Sequence, residues 1–180
     1  MNGTNSEGNT LKEGGFYTNP NAIVIVTHSP EETMEFGHHL ARQIPAGCVV
    51  RLEGELGSGK TTLTKGMVAG LGAAREEEVT SPSFTLVHEY GAERKVRHAD
   101  LYRVETSREL STLGLEDAID QGAILIVEWA EKLEGRIAAR EIRIKMEWID
   151  DSKRRIIVEG LNVSPEGLFP QSIVRDEDFR

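Results

Sequence analysis

Gly54-Glu55-Leu56-Gly57-Ser58-Gly59-Lys60-Thr61 fits the phosphate-loop pattern G-x-x-x-x-G-K-[ST] at every fixed position. Each fixed residue type has a physical job. Glycines let the backbone curl until successive N–H groups point at phosphate oxygens. A lysine, Lys60, sets a point charge against the outer phosphates, and Thr61 offers a hydroxyl to a magnesium ion. The start of a helix adds the positive end of its dipole. The pattern works only between a strand and a helix. Cys48-Val49-Val50-Arg51-Leu52-Glu53 before it predicts the strand, and Thr62 to Leu71 after it predicts the helix.

Working outward, the chain alternates strand and helix on the N-terminal side. Ala22 to Val26 is a short apolar run, and Ser29-Pro30-Glu31-Glu32 is a capping box with proline at the first helical position. The helix so opened is expected to run to about Gln43. Beyond the loop, Phe84 to Tyr90 and Lys95 to Tyr102 predict two strands joined through Gly91-Ala92-Glu93-Arg94. Thr106-Ser107-Arg108-Glu109 is a second capping box, for a short helix that Gly114 ends. Ala123-Ile124-Leu125-Ile126-Val127-Glu128 is a continuous apolar run closed by a carboxylate, the mark of a buried parallel strand. Ile142, Ile144, Met146 and Trp148 alternate, and after the turn at Asp150-Asp151-Ser152 a return strand follows from Arg155 to Glu159. The expected fold class is therefore α/β, P-loop NTPase-like: a mixed, mainly parallel sheet flanked by helices, with antiparallel hairpins at its edges. Residues 1–20, rich in Gly, Asn, Thr and Ser, predict a disordered leader, 21–162 a single domain, and 163–180 a flexible tail.

Composition narrows the function. The 180 residues carry a net charge of −9, which argues against autonomous binding to nucleic acid, because that binding rests on Lys and Arg neutralising phosphates. Contact with RNA is expected only indirectly, through a protein partner. No stretch approaches the roughly 18 apolar residues of a membrane helix, so no membrane association is expected. The single cysteine, Cys48, cannot form an internal disulfide and lies on a predicted buried strand. It predicts core packing and a reducing, cytoplasmic setting.

A phosphate loop alone holds a nucleotide, whereas hydrolysis also needs acidic groups that orient magnesium and a water. Glu128 is the first candidate, at the carboxyl edge of the sheet where such sites form. Its alternative is a solvated strand-end carboxylate. Asp100, in His98-Ala99-Asp100-Leu101-Tyr102-Arg103, is the second, because an aspartate within a strand needs a reason. A salt bridge to Arg97 or Arg103 is its alternative. His98 is either an assisting base or a hydrogen-bonded structural residue. Thr80-Ser81-Pro82-Ser83-Phe84-Thr85 gathers hydroxyls at a proline turn, either a switch-like loop or a plain connection. Trp129 is a candidate for packing on the nucleotide or a partner, or else a core residue.

Together these segments, with Gly114-Leu115-Glu116-Asp117 and Val127-Glu128-Trp129, resemble the bacterial TsaE (YjeE) ATPases over about residues 27 to 160. That family acts in making threonylcarbamoyladenosine (t6A) at position 37 of tRNA. The resemblance implies a Mg²⁺-dependent ATPase with weak intrinsic activity, working with the TsaB and TsaD proteins, whose TsaB–TsaD complex it turns over. Position by position, it implies that Gly54, Glu55, Leu56, Gly57, Ser58, Gly59, Lys60, Thr61 and Thr62 hold ATP. Lys60, Asp100 and Glu128 are implied as catalytic, with Thr61, Asp100 and Glu128 at Mg²⁺. Ser83 and Thr85 fall in the family's switch-like loop, where threonine is common at the position of Ser83. Pro30 and Thr33 are placed on the adenine side, and Arg154 near the nucleotide. Two other classes compete: a small-molecule kinase, disfavoured because no arginine-rich lid is visible, and a nucleotide-dependent binding module whose hydrolysis is incidental.

Overall fold

The computed structural model describes residues 10–12, 16–19, 22–92, 95–133 and 140–161. Their strands form one mixed sheet in the order β1-β2-β3-β9-β8-β4-β7-β6-β5. In chain order these are β1 Thr10–Lys12, β2 Phe16–Asn19, β3 Ala22–Thr27, β4 Cys48–Glu53, β5 Val87–Tyr90, β6 Val96–Asp100, β7 Ile124–Glu128, β8 Arg140–Trp148 and β9 Arg154–Glu159. The helices are α1 Pro30–Ala41, α2 Lys60–Gly70, α3 Ser107–Thr112 and α4 Leu115–Asp120. At the centre β8, β4, β7 and β6 run parallel. Antiparallel pairings β5/β6, β8/β9, β9/β3, β3/β2 and β2/β1 complete the sheet toward both edges.

Sequence parity decides which face each strand residue serves. Val50 and Leu52 of β4, with Ile124 and Ile126 of β7, pack toward α1 and α2 among Phe36, Leu40, Leu63 and Met67. Their neighbours Val49, Leu125 and Val127 turn to the opposite face, against Leu110 of α3 and Leu115 of α4. Both faces of β4 and β7 are thus buried, which is why Ile124 to Val127 of β7 are apolar without interruption and Arg51 alone breaks the run from Cys48 to Leu52 in β4. In β8 Ile142, Ile144 and Met146 are buried as the predicted alternation requires, whereas Trp148, the fourth residue of that pattern, is 56% exposed.

α1 and α2 approach each other through glycine. A Cβ on Gly66 would stand 2.0 Å from the Met34 carbonyl oxygen, and one on Gly37 would stand 2.6 Å from that of Leu63. Side chains at these positions would force the helices apart.

Several expectations are corrected. Thr10–Lys12 and Phe16–Asn19 are strands, extending the sheet beyond β3 by main-chain pairing, within the stretch expected to be disordered. α1 ends at Ala41 rather than near Gln43, where the Arg42 N–H turns back to the carbonyls of His39 and Leu40. Phe84 to Leu86 are not strand. Leu86 takes a left-handed φ of 65°, and its N–H closes a turn onto the Pro82 carbonyl, delaying β5 to Val87. Likewise β6 stops at Asp100, whose Oδ1 accepts the N–H of Tyr102 at 3.0 Å. Gly114, at φ 61°, ends the α3 segment and also starts α4, a helix the sequence reading did not predict. The tail expected at 163–180 and turn residues 93–94 lie outside the described residues.

Candidate active site at the phosphate loop

The loop 54–59 leaves the carboxyl end of β4 and feeds α2 directly. Gly54 (φ 146°) has no room for a side chain: a Cβ would lie 2.3 Å from the Met146 carbonyl oxygen of β8. Gly59 takes φ 98° at the N-cap of α2, a conformation costly for residues with a Cβ. The curled backbone is closed by Lys60, whose Nζ donates to the carbonyls of Gly54 (2.7 Å) and Glu55 (2.9 Å). Burial pushes the Lys60 ammonium below the ordinary lysine value, and the Glu128 carboxylate is the leading influence in the other direction.

Strand register brings the two predicted carboxylates side by side. Asp100, last in β6, is paired with Glu128, last in β7, and both are buried on the α2 face of the sheet edge. Thr61, one residue into α2, donates its hydroxyl to Glu128 Oε2 at 3.0 Å. The other oxygen, Oε1, meets His98 Nε2 at 2.9 Å. Glu128 is therefore no solvated strand-end residue. Asp100 is not salt-bridged to either arginine proposed for it: Arg97 pairs with Glu89 and Arg103 lies over the Phe84 ring at 4.4 Å. Instead its Oδ2 accepts hydroxyl bonds from Ser81 (2.6 Å) and Ser83 (3.1 Å). That pair fastens loop 80–86 across the site.

Trp129 follows Glu128 with a left-handed φ of 59°. This sets its ring at the loop, 4.1 Å from Lys60 Nζ and 5.0 Å from the Tyr102 ring, while it also packs, half-buried, against the core cluster of Val49, Leu125 and Val127. Non-glycine residues at positive φ are strained, and strain of this kind gathers at functional sites. The two among the described residues, Trp129 and Leu86, flank this one. Behind Trp129, buried Arg51 donates to the Ala130 carbonyl at 2.8 Å and to Glu141 at 3.1 Å, fixing the segment that carries the ring.

A cleft of about 390 Å³ lies among these groups, lined by Lys60, Thr61, Ser81, Asp100, Glu128 and Trp129. Arg154 reaches the loop from β9, its Nη2 donating to the Gly57 carbonyl at 3.3 Å. Three predicted positions are not brought to the cleft. Thr33 is buried, its hydroxyl bonded to Thr27 Oγ1 (2.8 Å) and the Ser29 carbonyl (3.0 Å), and Pro30 starts α1 apart from the lining residues. Thr85 is exposed at the turn, outside that lining. Sequence reasoning did not single out Ser81, Tyr102 or Arg51. All three lie within segments quoted above. A charge inside an otherwise apolar strand is the signal that marks Arg51.

The donors suit a hard cation, being a hydroxyl and two carboxylates, all oxygen. Among the described residues no group of three or more His, Cys, Asp or Glu is arranged to hold a metal by itself. Magnesium is commonly held by one or two carboxylates and completed by water and phosphate. The residues fit a Mg²⁺–nucleotide pair. No helix among the described residues is long and apolar enough to cross a membrane.

Comparison with known proteins bears on the same segments. The family model described as Threonylcarbamoyl adenosine biosynthesis protein TsaE matches residues 27–156. The chain is similar to the tRNA threonylcarbamoyladenosine biosynthesis protein TsaE of Haemophilus influenzae, 37% identical over 116 residues, which is 64% of this chain and 72% of the relative. The protein of that name from Bacillus subtilis is 37% identical over 131 residues, 72% of this chain and 80% of the relative. The crystal structure of Bacillus subtilis YdiB matches with a TM-score of 0.63 and 30% identity, covering 82% of this chain and 90% of that one.

Proposed function

Since the chain belongs to the TsaE family of threonylcarbamoyladenosine biosynthesis proteins, we propose that it is the Mg²⁺-dependent ATPase of that tRNA-modification pathway, working through a TsaB–TsaD complex. One observation carries the hydrolytic part: Thr61 of the phosphate loop is hydrogen-bonded to Glu128 at 3.0 Å, with Asp100 paired beside it. Holding a Mg²⁺–nucleotide accounts for Glu128, and the second buried carboxylate, Asp100, supplies the group that hydrolysis needs to order a water.

Roles follow from the geometry. The loop N–H groups and Lys60 bind the phosphates, Lys60 as a charge already seated in the cradle by two carbonyls. Thr61 and Glu128 are the protein's ligands to Mg²⁺, which supplies charge neutralisation at the phosphates when bound. Asp100, held by Ser81 and Ser83, orders water beside them, and Trp129 with Tyr102 covers Lys60 against bulk solvent. Loop 80–86, tied to Asp100, is the element through which the nucleotide state would be read by TsaB and TsaD. The net charge of −9 keeps contact with tRNA indirect. The setting proposed is the cytoplasm.

ATP hydrolysis, measured with Mg²⁺ or EDTA and with or without purified TsaB–TsaD, tests the reading. Slow Mg²⁺-dependent hydrolysis alone and a faster rate with the complex are expected. Glu128→Gln should retain nucleotide and lose turnover. A rate indifferent to Mg²⁺ would overturn the site assignment, and one indifferent to the complex would overturn the partner assignment.

A further inference from the structure

We infer that His98 is a positioning residue: it fixes one oxygen of Glu128 so that the other is presented to Thr61 and to the metal. The inference rests on the Mg²⁺–ATP reading above and assigns a residue to it. Glu128 ends a strand, and a glutamate there has three side-chain torsions to settle. Two hydrogen bonds settle them, Oε1 to His98 Nε2 at 2.9 Å and Oε2 to the Thr61 hydroxyl at 3.0 Å.

His98 is built for this and little else. It is fully buried, two residues before Asp100 on β6 and in register with Ile126 of β7, so parity sends its ring to the α2 face with both carboxylates. Being fully buried, it is walled off from the cleft. It acts on the site only through Glu128.

The tautomer follows from the same surroundings. Carboxylate oxygens only accept, so Nε2 carries the hydrogen and donates to Oε1. Nδ1 is buried with no hydrogen-bond partner among the described residues. A hydrogen on Nδ1 would be a stranded donor, whereas a bare lone pair there is tolerated at lower cost. His98 thus holds Glu128 as a one-sided donor. Supports of this kind behind a metal ligand are commonly worth 10- to 100-fold in metal affinity.

Two measurements test it. In the metal-free protein, long-range ¹H–¹⁵N correlations of the His98 ring report the tautomer directly. Nε2–H is expected, and Nδ1–H would overturn the inference. In the second, binding of a fluorescent ADP analogue is titrated with Mg²⁺ and, separately, measured in EDTA. His98→Ala should raise the half-saturating Mg²⁺ concentration by about 10- to 100-fold while binding in EDTA stays within about threefold. His98→Gln, whose amide N–H reaches toward the same oxygen, should recover most of the loss. Equal losses with and without Mg²⁺ in both variants, or no change in either, would overturn the role. Parent protein whose nucleotide binding ignores Mg²⁺ would instead sink the Mg²⁺–ATP reading itself, so the two failures are distinguishable.

Discussion

Gly66→Ala sets two effects of opposite sign against each other in the helix that carries the phosphate loop. Inside a helix, alanine is favoured over glycine by about 1 kcal/mol, so a reading of α2 by itself predicts stabilisation. Packing predicts the reverse. The added Cβ would lie 2.0 Å from the Met34 carbonyl oxygen and 2.8 Å from its carbon, where ordinary contacts begin at 3.4 Å. The obstacle is backbone, which no rotamer change can clear. α1 would have to retreat by roughly 1.4 Å, lifting Phe36, Leu40 and Ala41, all at most 1% exposed, from the sheet. Overpacking of a well-filled core costs typically about 1–3 kcal/mol, and a backbone clash belongs at the upper end. Subtracting the propensity gain leaves a net loss of about 2 kcal/mol. For a chain of this size that lowers Tm by roughly 4–8 °C. Thermal unfolding followed by circular dichroism measures it, with Gly70→Ala as the graded comparison, since its nearest contact is 2.7 Å. An unchanged or raised Tm for Gly66→Ala would refute the close approach of α1 and α2.

Lys60→Ala deletes the charge seated on the Gly54 and Glu55 carbonyls; a charged hydrogen bond is worth about 1.5–3 kcal/mol, so calorimetry should show nucleotide affinity falling at least tenfold. Asp100→Ala removes the acceptor of Ser81, Ser83 and the Tyr102 N–H; amide exchange across residues 80–86 should quicken about tenfold or more, and unchanged protection would show that the loop is held by other contacts. Burial pushes the Cys48 thiol from 9.0 up to about 11, so iodoacetamide should not label native protein at pH 8 and should label it in urea. Because the folded state holds this proton more tightly, its contribution to stability is full below pH 9 and is lost as the pH rises through about 11; denaturant midpoints that rose over that window would contradict the assignment. Thr106→Ala removes a side chain that accepts the Glu109 N–H at 3.2 Å, and should destabilise by about 1 kcal/mol in urea titration.

The elements legible from sequence were those in which local chemistry and tertiary environment agree. The unbroken apolar run 124–127 had to be covered on both faces, and Ser29-Pro30 had to start a helix whatever packed on it. The misses share a physical cause, which is that backbone geometry was set by distant contacts. Leu86 would prolong an apolar strand by propensity, yet its N–H bonds to Pro82 and its carbonyl to the N–H of Asp100. β2 is recruited through main-chain pairing with β3, and β1 through pairing with β2, which composition does not report. Gly66 and Gly37 read as weak points in helices, and only the partner helix shows why a side chain is forbidden there.

For the site the same division holds one level up. Residues whose function lies in their own functional group, Lys60, Thr61, Asp100 and Glu128, were visible from motif and position on the sheet edge. Those that act by holding another group are not: from sequence His98 is open between an assisting base and a structural residue, and Arg51 belongs to no motif. Parity supplies the missing step. On β6 and β7, Val96, His98 and Asp100 alternate with Arg97 and Ala99, while Ile124, Ile126 and Glu128 alternate with Leu125 and Val127. Once Asp100 and Glu128 are assigned to the α2 face, the period of two assigns His98 there as well. A buried imidazole on that face needs a hydrogen-bond partner. With β6 beside β7, the carboxylate diagonal to it is Glu128, and the observed 2.9 Å contact is the one this chain of reasoning requires.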